Sequence, residues 1–152
     1  MQRFSFPDLN PHLYRRMAAL NSAVENCGLD HTLLELIKMR SSQINGCAFC
    51  LDMHSKDARA NGETEQRLYA LNAWRETPFY TDRERAALAL TEAITLITDG
   101  HVSDEVYEQA CAVFDEKEVS QIVWAAAVIN TWNRLAISAR SEPGSYQPGQ
   151  HD

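Results

Sequence analysis

The stretch 30-DHTLLELIKMRSSQINGCAFCLDMHSKDARANG-62 contains two helical segments separated by a turn signal. Asp30 is suited to cap the first helix, because a side-chain oxygen there can accept hydrogen bonds from the first turn. Asn45-Gly46 is typical of a helix end, since glycine adopts the left-handed conformation without steric cost. A second helix should begin near Cys47 and end at Asn61-Gly62. The stretch therefore predicts two consecutive helices joined by a tight turn.

Helix signals continue through the rest of the chain. Asn10-Pro11 marks a helix start, and the sequence from Thr81 to Glu84 is a capping-box pattern in front of an apolar helix. Neither an alternating strand pattern nor an internal repeat is visible. We predict one all-α domain of six or seven helices in residues 1–140. The remaining segment, 141–152, contains two prolines, two glycines and little to bury, and is expected to be a loosely ordered tail.

Composition narrows the class of protein. Of 152 residues, 45% are hydrophobic and 23% are charged, which is the balance of a globular protein. The net charge of −7 and the scattered lysines and arginines argue against nucleic acid or an anionic membrane as a partner. No apolar run approaches the roughly 20 residues that span a bilayer. No secretory signal pattern is visible at the N-terminus, so the expected location is the cytoplasm, where cysteines stay reduced unless they are catalytic or metal-bound.

Two alanine-rich segments suggest contact between subunits. The segments 86-AALALTEAITLI-97 and 122-IVWAAAVI-129 are apolar on more than one helix face. A helix that is apolar nearly all round is buried. In so small a bundle, this much apolar surface favours association into a homo-oligomer, and the alternative is a single well-filled core.

The spacing of Cys47, Cys50 and His54 points to redox chemistry. Steps of three and four residues place these side chains on one stripe of a helix. At a helix start, the unpaired N–H groups and the positive end of the helix dipole lower the pKa of a cysteine thiol. His54, one turn after Cys50, can exchange a proton with it directly or through one water. Two cysteines at this spacing can also close into a disulfide.

Glu35 allows two interpretations. It lies within 33-LLELI-37, where its sequence neighbours are all apolar. It is either an ordinary exposed glutamate or a buried carboxylate with a raised pKa that orients or deprotonates His54. Periodicity alone does not choose between them.

Glu35, 47-CAFC-50 and His54 together reproduce the pattern E-x11-C-x2-C-x3-H. This pattern resembles the AhpD-like alkylhydroperoxidase branch of the carboxymuconolactone decarboxylase family. The flanking sequence over residues 38–64 and 65–95 is similar to that branch as well, so that the resemblance covers about residues 15 to 140. The decarboxylase branch generally does without the cysteine pair, so lactone decarboxylation is not expected.

The resemblance implies a fold and a catalytic set. The fold is an AhpD-like helical bundle in which a helical hairpin carries the CxxC, assembled into trimers or hexamers. Cys50 is the thiol that attacks peroxide, Cys47 is the resolving thiol and proton donor, and Glu35 and His54 form the proton relay. Helix-start chemistry favours the first cysteine as the attacker, which leaves the order open. Phe49 stands where peroxidases of the family can carry a histidine, so the relay must run through Glu35 and His54.

The implied activity is thiol-dependent reduction of a small-molecule hydroperoxide, with a dithiol or protein reductant and no cofactor. One alternative is a thiol–disulfide reductase of the same family. A second is a zinc site made by the four residues of the motif, because zinc accepts all three ligand types. Cys27 and Cys111, which could extend such a site, are interpreted as buried small hydrophobes. A third is an interaction module in which the cysteines are merely packed.

Overall fold

The computed structural model describes residues 1–150, and all regular elements in that range are helical. Six of these helices have eight residues or more, and the prediction of an all-α fold is confirmed. The elements are α1 (Phe6–Leu9), α2 (Pro11–Glu25), α3 (His31–Asn45), α4 (Ala48–Ala60), α5 (Glu65–Tyr69), a 3₁₀ helix (Leu71–Glu76), α6 (Asp82–Thr95), α7 (Asp104–Cys111) and α8 (Glu116–Ala139).

The helix ends follow the local signals of the sequence. The carboxylate of Asp30 accepts a hydrogen bond from the backbone N–H of Leu33 at 3.0 Å, which caps α3. Gly46 has φ of 69° and ψ of 36°, the left-handed conformation that ends a helix. Thr81 and Glu84 form the expected capping box at the start of α6. The turn at Gly46 therefore sets the direction in which α4 leaves α3.

Helix α3 lies at the centre of the bundle and packs against α4, α6 and α8. Leu34 and Ile37 on one side of α3 join a core cluster that includes Ile122 of α8. Leu36 on the other side joins a second cluster with Trp74. Because α3 is enclosed by apolar neighbours, polar side chains on it are forced to find partners inside the protein.

A cluster of buried polar side chains joins the end of α3 to α8. The side-chain amide of Asn45 donates to Asn130 Oδ1 at 2.9 Å and to Asn133 Oδ1 at 2.8 Å. Asn133 Nδ2 in turn donates to Ser42 Oγ at 3.0 Å. These bonds fix the last turn of α3, which comes directly before the cysteine pair.

Of the two apolar segments expected to join subunits, one is largely buried within the chain and the other is partly exposed. Much of α6 is buried within the chain itself, whereas Trp124 on α8 is 55% exposed, with Val123 and Ile137 also exposed on the same helix. Association into a homo-oligomer stays a prediction. None of the helices in residues 1–150 combines the length and apolarity needed to cross a bilayer.

The expected tail is described as far as residue 150, and its last two residues, 151 and 152, lie outside the described range. The described part runs along α4, where Tyr146 is buried. The division into a domain of residues 1–140 and a tail stays a prediction.

Replacing Asn133 with alanine should weaken the junction of α3 and α8. The change leaves Asn45 and Ser42 with fewer partners in a buried site, which costs about 1–3 kcal/mol for an unsatisfied group. Urea unfolding measures this loss. Thr131→Ala, at an exposed position of the same helix, is the control and should change stability by less than about 0.5 kcal/mol. Equal stability of the two variants would contradict a structural role for the cluster.

Candidate active site

The two cysteines lie at the start of α4, as the spacing predicted. Cys47 is the N-cap residue, and its sulfur accepts a hydrogen bond from the backbone N–H of Cys50 at 3.4 Å. The pair forms a disulfide, with 5.4 Å between the Cα atoms. Each cysteine is only 1% exposed. The structure thus describes the oxidised form of a dithiol at a helix N-terminus.

His54 and Glu35 are in contact, although they lie on different helices. His54 Nδ1 lies 3.2 Å from Glu35 Oε2, and the two residues are 8% and 9% exposed. An ionised carboxylate only accepts hydrogen bonds, so Nδ1 carries the proton of this bond. Nε2 is then the nitrogen left to exchange a proton elsewhere. The structure thus brings together the glutamate of α3 and the histidine of α4.

Lys38 belongs to the same cluster, and the sequence analysis missed it. Its ammonium group donates to Glu35 Oε1 at 3.0 Å and is also hydrogen-bonded to Glu25 of α2. Lys38 is 4% exposed. The signal available in the sequence was its position three residues after Glu35 on an apolar helix. The cluster therefore links α2, α3 and α4 through the contacts of Glu25, Lys38, Glu35 and His54.

The contacts within the cluster lower the pKa of Glu35 and raise the pKa of Lys38. Burial alone would raise the pKa of Glu35, but the hydrogen bond and charge of His54, together with Lys38, outweigh burial and lower this pKa below its ordinary value. Burial would lower the pKa of Lys38, but Glu35 and Glu25 raise it. The expected burial of Glu35 is observed, whereas its expected raised pKa is wrong, because the hydrogen bond and charge of His54, together with Lys38, outweigh the effect of burial.

A cleft of about 1200 Å³ opens beside this cluster. Cys50, Phe49 and His54 contribute to its wall from α4, and Glu35 and Lys38 from α3. Cys47 is not among the residues that line it. The other walls come from α2, α8 and the C-terminal segment, and include Tyr14, Trp132, Ala136, Tyr146, Pro148 and Gly149. A small molecule in this cleft approaches the pair from the side of Cys50.

The other two cysteines differ from the prediction. Cys111 is exposed and Cys27 is partly exposed, so neither is the fully buried hydrophobe that was expected. Cys111 lies at the C-terminal end of the short helix α7, which presents it to solvent. Within residues 1–150, no group of three or more His, Cys, Asp and Glu side chains has the arrangement of a metal site.

The helical hairpin with its CxxC and buried carboxylate–histidine pair defines a class of protein. Residues 11–93 match the carboxymuconolactone decarboxylase family. The chain belongs to this family.

Comparison with individual proteins identifies the AhpD-like branch of this family. The chain is 43% identical over 144 residues to the uncharacterized protein YdfG of Bacillus subtilis strain 168, which covers 95% of this chain and 98% of that protein. A crystal structure from Agrobacterium tumefaciens, of a protein of unknown function linked by name to the antioxidant defence protein AhpD, superposes with a TM-score of 0.93. It is 39% identical and covers 96% of this chain and 100% of that one.

The AhpD core of a peroxidase-related protein from Ralstonia eutropha JMP134 superposes with a TM-score of 0.80, over 91% of this chain and 74% of that one. At 19% identity, this likeness shows the fold alone. The AhpD-like fold expected from the motif is therefore confirmed.

Replacing Glu35 with glutamine should cost stability in a pH-dependent way. A glutamate whose folded-state pKa is lowered stabilises the fold above its ordinary pKa of 4.5, and this contribution is lost as the pH falls through the folded-state value. At pH 7 we expect a loss of about 3 kcal/mol, the low end for breaking a buried ion pair, since Lys38 keeps Glu25.

Urea unfolding of wild type and Glu35→Gln between pH 7 and pH 3 measures this effect. The difference between the two proteins should shrink below about pH 4.5. Glu108→Gln, at an exposed position of α7, is the control. A difference that stays constant with pH would contradict an ionised Glu35.

Proposed function

We propose that this protein is a thiol-dependent peroxidase that reduces hydroperoxides through the Cys47–Cys50 dithiol and disulfide. The observation that carries the proposal is a disulfide at a helix start, with Cys50 facing a cleft beside a buried histidine–carboxylate pair. Membership of the family supports it, and so does the link of the Agrobacterium relative to antioxidant defence.

The proton relay acts on Cys50 in the reduced enzyme. Glu35 holds His54 by the Nδ1 hydrogen bond, so that Nε2 accepts the thiol proton directly or through one water. Because Glu35 is ionised, it stabilises the imidazolium that forms. Lys38 acts as a positioning residue, since it keeps the carboxylate charged and in place.

The chemical steps follow from thiol chemistry. The thiolate of Cys50 attacks the distal oxygen of the hydroperoxide, the O–O bond breaks, and the leaving oxygen takes a proton and departs as an alcohol, or as water from hydrogen peroxide. The sulfenic acid on Cys50 then condenses with the Cys47 thiol, releasing water and forming the disulfide. A dithiol reductant donates two electrons and two protons to restore the pair and is itself oxidised to a disulfide.

Two observations bear on the order of the cysteines. Cys50 lines the cleft, which favours it as the thiol that meets the peroxide. Cys47 accepts the N–H of Cys50 at the helix start, which favours a thiolate on Cys47 as well. We assign the attack to Cys50 because access to the substrate and the position of His54 both select it.

A thiol–disulfide reductase is the second candidate. The same disulfide serves that reaction, and Phe49 in the cleft wall cannot carry a proton to a peroxide. The 1% exposure of each cysteine limits either reaction to molecules that reach Cys50 through the cleft, so it does not separate the two candidates. The link of the Agrobacterium relative to antioxidant defence favours the peroxidase. The proposal also includes a small-molecule hydroperoxide as substrate and a dithiol or protein as reductant. It further includes a trimeric or hexameric assembly and a cytoplasmic location.

Steady-state turnover of hydrogen peroxide and an organic hydroperoxide with dithiothreitol tests the proposal. Cys50→Ser should abolish turnover, and His54→Gln should reduce it by about 10²–10⁴, the usual contribution of a general base. Cys47→Ser should still form a sulfenic acid on Cys50, detectable with dimedone, but no intramolecular disulfide. Cys111→Ser is the control for a thiol outside the cleft. Wild-type turnover by Cys50→Ser would refute the assignment, and disulfide reduction without peroxide turnover would establish the second candidate.

Replacing Lys38 separates its role from a purely structural one. In Lys38→Met the pKa of Glu35 should rise, because one of the charges that lowers it is gone. The acidic limb of the pH profile of kcat/KM should then move to higher pH. Lys38→Arg should restore the wild-type profile, and Lys117→Met, at an exposed site on α8, should leave it unchanged. An unshifted profile in Lys38→Met would contradict the positioning role.

A further inference from the structure

The chain after α8 returns along the outer face of α4. The backbone N–H of Gly144 donates to Asp52 Oδ2 at 2.9 Å, and Lys56 Nζ donates to the carbonyl of Tyr146 at 3.0 Å. Asp52 and Lys56 are themselves paired at 2.9 Å, one helical turn apart. We call residues 144–149 the C-terminal strap. An acid–base pair on α4 therefore holds the backbone of the strap at Gly144 and at Tyr146.

The side chain of Tyr146 gives the strap a third attachment. Its hydroxyl donates to Asp57 Oδ1 at 2.7 Å, and the residue is 7% exposed. A buried tyrosine that reaches a carboxylate is typical of a fixed contact rather than of a loose end. Asp57 also lines the cleft, three residues after His54 on α4. The strap is thus attached to the helix that carries Cys50 and His54.

The strap forms part of the cleft wall. Tyr146, Pro148 and Gly149 line the same cleft as Cys50. Because Cys50 is 1% exposed, a reagent can reach its sulfur only through the cleft or after a local opening. The strap lies outside the helices that form the two core clusters, so we expect a change there to alter the cleft more than the bundle.

We propose that the C-terminal strap, through Tyr146, sets the size of the molecules that reach Cys50. With the strap in place, small hydroperoxides and small thiols enter, and bulky ones are hindered. The inference concerns access to the sulfur. Its consequence for peroxide selectivity rests on the proposed function, whereas its consequence for alkylation does not.

Alkylation of the reduced protein tests access directly. In a Cys47→Ser background, the rates at Cys50 are compared for iodoacetamide and for a polyethylene glycol maleimide, with the Cys50 peptide quantified by mass spectrometry. The variants are a chain truncated after Pro143, which lacks the strap, and Tyr146→Ala. Tyr107→Ala removes an exposed tyrosine of α7 that does not line the cleft and is the control.

The ratio of the maleimide rate to the iodoacetamide rate should rise about tenfold in both strap variants, the factor that loss of about 1.4 kcal/mol of closing energy produces. It should not change in Tyr107→Ala. A ratio in the strap variants equal to that of the Cys47→Ser parent overturns the proposal. If circular dichroism shows that the truncated chain is unfolded, Tyr146→Ala decides the question.

Peroxide selectivity provides the second measurement. In the chain with both cysteines, the ratio of kcat/KM for cumene hydroperoxide to that for hydrogen peroxide should rise in Tyr146→Ala. If the alkylation ratio rises and no protein, including wild type, turns over peroxide, then the strap controls access and the proposed peroxidase function is wrong. If peroxide turnover is normal and neither ratio changes, the peroxidase function stands and the strap proposal is wrong.

Discussion

The buried carboxylate of Glu35 is the constraint on which the site depends. A charge removed from water is costly unless it is paired and hydrogen-bonded. Each oxygen of Glu35 has its own partner, His54 on α4 and Lys38 on α3, and Lys38 in turn reaches Glu25 on α2. Removing Lys38 leaves the buried carboxylate of Glu35 without its ammonium partner. The histidine ring is therefore held in one orientation by the same interactions that hold three helices together.

The helix ends around this cluster fix the position of the cysteines. Gly46 ends α3 in the left-handed conformation, and Cys47 then caps α4 with its sulfur. Asn45, one residue before the turn, is bonded to both Asn130 and Asn133 of α8. Because the turn is fixed on both sides, the cysteine pair has little freedom relative to α3. The distance between the cysteine pair and the Glu35–His54 contact is thus set by helix ends rather than by flexible loops.

The sequence contained the local information and lacked the tertiary information. The caps at Asp30 and Gly46 predicted the helix ends. The resemblance to the AhpD-like branch implied the pair of Glu35 and His54, which the structure brings into contact. Lys38 was missed because an i, i+3 partner of a glutamate is usually part of an exposed ion pair. The expected direction of the Glu35 pKa was wrong because burial was weighed without the stronger opposing effect of His54 and Lys38. The contacts of Tyr146 with α4 could not be predicted, since a segment rich in proline and glycine has no periodicity that indicates where it packs.

An ionised Glu35 also changes what is required of Phe49. In the proposed reaction, the thiol of Cys50 loses a proton and the departing oxygen of the peroxide gains one. A histidine whose Nδ1 is hydrogen-bonded to a carboxylate can accept the first proton at Nε2 and deliver it in the second step, as a general base and then a general acid. A second proton carrier between the cysteines is then unnecessary. Phe49 can instead serve as an apolar part of the cleft wall, where it excludes water from the thiolate and strengthens the electrostatic effect of the relay.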